Sequence, residues 1–394
     1  MGRSVRIAGV GMIPFAKPGQ SDDWDVMAER AIRAALQDAG IDYDQVQQAY
    51  AGYVYGDSTA GQSALYRVGI TGIPIVNVNN NCSTGSTALY LARQIVELGG
   101  ADCVLAVGFE QMAPGALGAY FNDRKPVMEK LLTLQTDIQG WDDKAPMAAQ
   151  MFGGGGLDYQ ARYGAKDSTF AQISVKARQH AANNPLAIFR TPLSVEQVLE
   201  SPKLYGPITR FQACPPTCGA AAAILCSPEF AARHGLKAEV EIKAQAMTTD
   251  YAAAFEDRSM MRVIGYDMAR EAAAKVYEAS GVGPGDVQVV ELHDCFTANE
   301  LISYEALGLC EEGGAERYIL DGQNTYGGKH VTNPSGGLLS KGHPLGATGL
   351  AQCYELTHQL RGTAEQRQVG DVTHALQHNL GLGGACVVTL YGRA

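Results

Sequence analysis

Ile75-Val76-Asn77-Val78-Asn79-Asn80-Asn81-Cys82-Ser83-Thr84-Gly85-Ser86-Thr87-Ala88 opens as a β-branched run, breaks at three asparagines and a cysteine, and continues in small residues. The first four residues predict a strand, and the asparagines mark a turn because their short amides satisfy nearby backbone groups. From 83 to about 98 the pattern is helical, closed by Gly99-Gly100. This helix opens small on every side, which suits burial between other elements. Next comes Cys103-Val104-Leu105-Ala106-Val107, an apolar run typical of a buried strand. Strands alternating with helices predict α/β layers. In such sheets sites form beyond the carboxyl ends of strands, and Cys82 stands at such a place.

The same grammar recurs outward. A strand at 5–11 leads to a helix at 24–39 that Gly40 stops. A second series follows: a strand at 240–242, a helix at 265–280, a Gly283-Pro284-Gly285-Asp286 turn and a strand at 287–292. That strand runs directly into His293-Asp294-Cys295-Phe296. Helices are predicted at 298–307 and 346–360, and the last strand at 385–390. Each series has a small-residue helix entered from a reactive turn, at Cys82 and at His343. Each ends in a Gly-Ala-rich strand, at 219–225 and 384–390. The repetition predicts a duplicated βα unit. The domain assignment is 1–115 with 211–236 as the first half, 116–210 as an inserted loop lobe, and 237–394 as the second half. Short helices are expected in the lobe, and its Gly153-Gly154-Gly155-Gly156 reads as a flexible or closely packed bend. No Gly-Lys-Ser/Thr follows, so it is not a phosphate loop.

At 394 residues the chain exceeds one ordinary core, so two or three packed units are expected. With 46% hydrophobic and 18% charged residues it reads as compact rather than disordered. A net charge of −10 without a long basic run argues against nucleic acid as the main partner, although a local basic pocket for an anionic tail remains compatible. Nine cysteines without scaffold spacing read as reduced thiols of a cytoplasmic protein. Cys214 and Cys218 have no second ligand pair, so no metal site is expected there. The N-terminus lacks a signal sequence, and no run of apolar residues is long enough to span a membrane.

Cys82, His293, Cys295 and His343 thus offer two thiols and two imidazoles, each in a turn. One thiol can attack an acyl carbonyl while the other moves a proton to or from carbon. Three stretches together carry a resemblance: Asn79 to Ser86, His293-Asp294-Cys295-Phe296, and Asn333-Pro334-Ser335-Gly336-Gly337 through Gly342-His343-Pro344. In these the chain resembles the thiolase superfamily, specifically its sterol-carrier-protein-2-type branch, over essentially its whole length. The resemblance implies a five-layer αβαβα fold of two similar halves with an inserted lobe. It also implies a homodimer, acyl-coenzyme A substrates, and no permanently bound cofactor. The form expected is a stand-alone one without the lipid-transfer domain. Many thiolases carry a second cysteine in a Cys-x-Gly turn near the C-terminus; here Gly381 stands in its place, and Cys295 is expected to take over proton transfer. Cys218 stands where relatives commonly have Asp, and it has no functional account.

Cys82 is the candidate nucleophile, its pKa expected to fall at a helix start and beside an imidazole. His343 is its candidate activator and a candidate donor toward the thioester oxygen. Cys295 is the candidate acid/base at the substrate α-carbon, and His293 a donor to the enolate oxygen. The family pattern adds Gly383, whose amide with that of Cys82 would form an oxyanion hole. Asp294 is read either as orienting a neighbour or as capping the following helix. Cys386, His374 and His378 are read as structural. The activity implied is coenzyme A-dependent cleavage of a 3-oxoacyl-CoA, or the reverse condensation, through an acyl-Cys82. The alternatives are a thiolase-like retro-aldolase acting on a CoA-linked steroid-type side chain, and a non-catalytic acyl-CoA or lipid binder.

Overall fold

The computed structural model describes residues 2–115, 118, 121 and 123–394, so the opening of the lobe assigned to 116–210 lies partly outside the described residues. β1 (Arg6–Met12) is followed by α1 (Trp24–Ala39), which Gly40 closes in the left-handed conformation at φ 73°. β2 (Gln48–Gly52), β3 (Ile75–Val78), α2 (Thr84–Glu97) and β4 (Cys103–Glu110) complete the first series. The lobe contributes α3 (Glu129–Gln139), α4 (Met147–Tyr163) and α5 (Asp167–Ala181). Then come β5 (Gly219–Cys226), β6 (Val240–Thr248), α6 (Tyr266–Ser280), β7 (Val289–Glu291) and α7 (Thr297–Ala306). β8 (Val331–Thr332), α8 (Thr348–Arg361), β9 (His374–Gly381) and β10 (Ala385–Arg393) close the chain.

The strands form two sets with one order, β3-β2-β4-β5-β1 and β8-β7-β9-β10-β6. In each set the first three strands are parallel, and the last two links are antiparallel. Arg6 and Ile7 of β1 pair with Glu241 and Val240 of β6 and join the sets edge to edge. α1 covers β1, β4 and β5, while α6 covers β6 and β10. α2 and α8 touch strands of both sets. The architecture is therefore αβαβα, with two similar halves. Three buried apolar clusters fill the spaces between layers, one of them lying on both sides of the central helices, and the lobe packs onto that of the second half.

The central layer holds two helices because their facing sides are small. A side chain on Gly349 of α8 would stand 2.2 Å from the Ser86 amide nitrogen of α2. One on Gly85 would meet the Gly346 carbonyl at 2.7 Å. Backbones this close need glycine. The helices are also those entered from Cys82 and from the His343 loop, so their contact sets the spacing of the site.

Two local expectations fail. The lobe's α4 and α5 are long helices of 17 and 15 residues, not short ones. Gly153 to Gly156 lie inside α4, not at a bend. Four glycines cost a helix roughly 4 kcal/mol relative to alanine. They are there for close contact: added side chains would stand 2.7 Å from the Tyr205 carbonyl, 2.5 Å from Gln139 Oε1, 2.4 Å from Ile264 and 2.8 Å from Pro207. β2 is not anticipated by sequence either. Gln48-Ala49-Tyr50-Ala51-Gly52 is a weak strand former, and pairing on both sides with β3 and β4 supplies what propensity lacks. Among the described residues, no helix is long and apolar enough to cross a membrane.

Candidate active site

Four connections converge past the strand ends. They are the β3–α2 turn with Cys82, the β7–α7 segment with His293 to Phe296, the loop before α8 with His343, and the β9–β10 turn.

The first turn is held as its asparagines suggest. Asn79 Oδ1 accepts from the Asn81 amide at 3.0 Å, and Asn81 sits in the left-handed region at φ 51°. Asn81 Nδ2 crosses to donate to the Leu382 carbonyl of the β9–β10 turn at 2.9 Å. That turn lies directly on the Cys82 turn. A side chain at Gly381 would stand 2.3 Å from the Asn80 carbonyl. Gly383, one residue beyond Leu382, adopts φ 100°, a conformation open to glycine.

Cys82, His293, Cys295 and His343 are all buried, with exposures of 7%, 1%, 3% and 4%. Ligand-forming atoms of Cys82, His293 and His343 all lie within 4.8 Å of one another. The two imidazoles pack edge to face with centroids 5.0 Å apart. The Cys295 thiol is close enough to those of Cys82 and Cys214 for an anion on one to oppose an anion on another. The chain is not extended there, since the Asp294 amide folds back onto the Leu292 carbonyl at 3.1 Å. Alternation along an extended strand therefore does not set the directions of His293 and Cys295.

Hydrogen bonds fix the proton positions of His343. Thr348 Oγ1 donates to the Pro344 carbonyl at 3.0 Å, so toward His343 Nδ1, 2.6 Å away, it acts as acceptor. His343 Nδ1 therefore carries the proton and Nε2 is a bare lone pair. Nε2 is buried and has no hydrogen-bond partner among the described residues, so it is free to receive a proton in the site. Its loop is held by the His343 amide donating to Thr217 Oγ1 at 3.1 Å, after Gly342 at φ 121°. Burial and Lys341 push the His343 pKa down to about 3, so the ring is neutral.

The expected drop in the Cys82 pKa is not found. Burial pushes the thiol up to about 12; hydrogen bonding to the backbone of Leu382 and of Cys82 itself opposes this, and Glu110 adds to the rise. A neutral His343 supplies no cation to counter the loss of water. The resting pair is thus thiol and imidazole, not thiolate and imidazolium. Cys295 is also held as a thiol, chiefly by burial.

Asp294 caps a helix, but not the one that follows it. Its carboxylate accepts from the Leu338 and Leu339 amides at 2.7 and 3.3 Å, at the start of Gly337–Ser340. This ties the Cys295 segment to the loop carrying His343. Burial pushes Asp294 up to about 7. His378 is buried beside the site, and its Nδ1 accepts from the His293 amide at 3.4 Å.

Three participants escape sequence reading. Glu110 accepts from the Val54, Tyr55 and Gly346 amides at 3.0, 2.9 and 3.0 Å, locking the loop after His343 to the first half. Cys214 donates its amide to the Cys295 carbonyl at 2.8 Å and brings a third thiol. Asn379 Nδ2 lies 3.2 Å from the Cys82 carbonyl and 3.0 Å from His293 Nδ1. Only the Gly-rich turn after Asn379 gave any signal that β9 ends at the site.

A thiol beside an acceptor imidazole, facing a second imidazole and a second thiol, suits acyl transfer coupled to proton transfer at carbon. Known proteins bear on this. The family model described as thiolase, N-terminal domain, matches residues 5–196, and the one described as thiolase C-terminal domain-like matches 252–391. The chain belongs to the thiolase family. Within it, the chain falls in the sterol-carrier-protein-2-type branch. It is 54% identical over 391 residues to sterol carrier protein 2 of Oryctolagus cuniculus, covering 98% of this chain and 71% of that protein. It is 36% identical over 391 residues to the benzoylsuccinyl-CoA thiolase subunit BbsB of Thauera aromatica, covering 98% and 96%. Among solved structures, the Ltp2-ChsH2(DUF35) aldolase matches this thiolase with a TM-score of 0.84 and 24% identity, over 99% and 98% of the two chains. At that identity the likeness is one of fold.

Proposed function

We propose that this thiolase is an acyl-CoA C-acyltransferase that cleaves 3-oxoacyl-CoA with coenzyme A, or runs the reverse Claisen condensation, through an acyl-Cys82. The observation that carries this reading is a His343 ring with a bare, buried Nε2, in one cluster with the Cys82 thiol and His293 whose ligand-forming atoms lie within 4.8 Å of one another. In cleavage, His343 Nε2 takes the thiol proton as sulfur bonds to the 3-carbonyl carbon. The C2–C3 bond then breaks, its electron pair passes to the thioester as an enolate, and His293 donates a hydrogen bond to that oxygen. Cys295, held protonated by burial, delivers the proton to carbon. The acyl-CoA that carries C1 and C2 leaves, and the coenzyme A thiol takes the remaining acyl group from Cys82 to give the shortened acyl-CoA; His343 returns its proton to the Cys82 sulfur and the proton of the coenzyme A thiol restores Cys295. The amides of Cys82 and Gly383 receive the oxyanion of the acyl transfer. Such covalent exchange gives ping-pong kinetics.

A lyase reading has a likeness of fold alone behind it. It gives no use to the Cys82–His343 pair, and a non-catalytic acyl-CoA binder gives no use to any of the four side chains. The test is intact-protein mass spectrometry with a panel of acyl-CoAs, followed by peptide mapping. The expected result is an acyl adduct on Cys82 that coenzyme A removes and that Cys82→Ala lacks. Carbon–carbon cleavage without an adduct or any need for coenzyme A would make the protein a lyase. Binding without turnover would make it a carrier.

The reading extends to a homodimer in a reducing, cytoplasmic setting. β3 is an edge strand whose Val76 is 40% exposed, and all nine cysteines are free. The segment boundaries assigned from sequence are proposed with it, the lobe at 116–210 contributing the walls that select the acyl chain.

A further inference from the structure

Asn379 is fully buried at the end of β9 and touches both chemical motifs at once. Its amide nitrogen reaches the Cys82 carbonyl at 3.2 Å and His293 Nδ1 at 3.0 Å. A peptide carbonyl is only ever an acceptor, so the atom facing it must be the NH2 group. That group has two hydrogens, and the second points at His293 Nδ1. Nδ1 is therefore the acceptor, and the ring proton sits on Nε2.

Turning the amide over would set its oxygen against the Cys82 oxygen and aim two N–H bonds at Gly349. A side chain on Gly349 would stand 2.7 Å from Asn379 Oδ1, so the glycine leaves room for that oxygen. As it stands, only Oδ1 lacks a partner. One unpaired acceptor is a smaller loss than two oxygens set against each other with the buried Cys82 carbonyl left unpaired, and the orientation is fixed. The two neighbouring imidazoles are thereby held in opposite tautomers. His343 presents a lone pair, and His293 presents an N–H.

We propose that Asn379 is a positioning residue that locks His293 as the Nε2–H tautomer, so that it meets the substrate's thioester oxygen as a hydrogen-bond donor and not as a base. What His293 does with that proton rests on the thiolase reading; the tautomer does not. Nitrogen-15 NMR of histidine-labelled protein tests it directly. Wild-type His293 is expected to show an unprotonated Nδ1 and a protonated Nε2 from about pH 5 to 8. Asn379→Asp keeps the shape but can only accept, so it draws a proton onto His293 Nδ1. Its turnover is expected to fall about 100-fold, the loss typical of one oxyanion donor, with KM little changed.

A protonated Nδ1 in wild-type His293 overturns the proposal even if Asn379→Asp fails to fold. So does a folded Asn379→Asp that keeps both the Nε2–H signature and wild-type turnover. The expected wild-type tautomer in a protein with no coenzyme A-dependent turnover would uphold the lock while removing the thiolase reading.

Discussion

Cys82 and His343 form a neutral pair, because burial raises the thiol to about 12 and lowers the imidazole to about 3. A raised thiol pKa leaves little thiolate at neutral pH, with the amount growing as pH rises. Alkylation of Cys82 by iodoacetamide should therefore climb steadily with pH through the neutral range. A rate already level from about pH 5 upward would reveal a thiolate–imidazolium pair and contradict the geometry. The neutral pair also assigns the thiolate's formation to the moment of attack, when His343 Nε2 removes the proton. Gly381 makes a second residue-scale point. It stands where many thiolases carry a cysteine, and here a side chain would press on the Asn80 carbonyl at 2.3 Å. Gly381→Cys should lower stability in urea unfolding by roughly 1–3 kcal/mol, the usual cost of overpacking, and should disturb Cys82 acylation. A Gly381→Cys protein as stable and active as wild type would mean the two turns are freer to separate than they look.

At the scale of elements, the α2–α8 contact controls the site, because Cys82 precedes one helix and His343 the other. Gly349→Ala would put a methyl group 2.2 Å from the Ser86 amide. Alanine normally improves a helix by about 1 kcal/mol over glycine. Here the net effect should be a loss of stability in denaturant titration together with slower acylation, since the helices must part. A gain in stability would show that the layer tolerates expansion. Sequence made these helices legible through their small residues, Ser83 to Ala88 and Gly346 to Gly349. It did not make α4 legible, because Gly153 to Gly156 break every local rule for a helix. Tyr205, Ile264 and Pro207, all distant in sequence, explain them.

At the scale of the molecule, the repeated strand order places the two reactive turns at matching points of two similar halves. Cys82 comes from the first half, and His293, Cys295 and His343 come from the second, so neither half alone holds the chemistry. The proposed dimer belongs to this scale. Sedimentation velocity should give twice the chain mass for the wild type, and Val76→Lys, placing charge on the open β3 edge, should shift it toward the monomer. A monomeric wild type with full turnover would separate activity from assembly.

By itself the sequence determined the layered fold, its duplication and the four candidate side chains that the structure brings together. These depend on periodicity, turn chemistry and residue type, which are local properties. Tertiary structure alone decided the protonation states and the partners that set them. Burial, not the start of a helix, governs the Cys82 thiol, and Thr348 and Asn379 choose the tautomers of His343 and His293. Removal of water and the meeting of groups almost 300 residues apart in the chain, as with Asn379 and the Cys82 carbonyl, leave no trace in any short stretch of sequence.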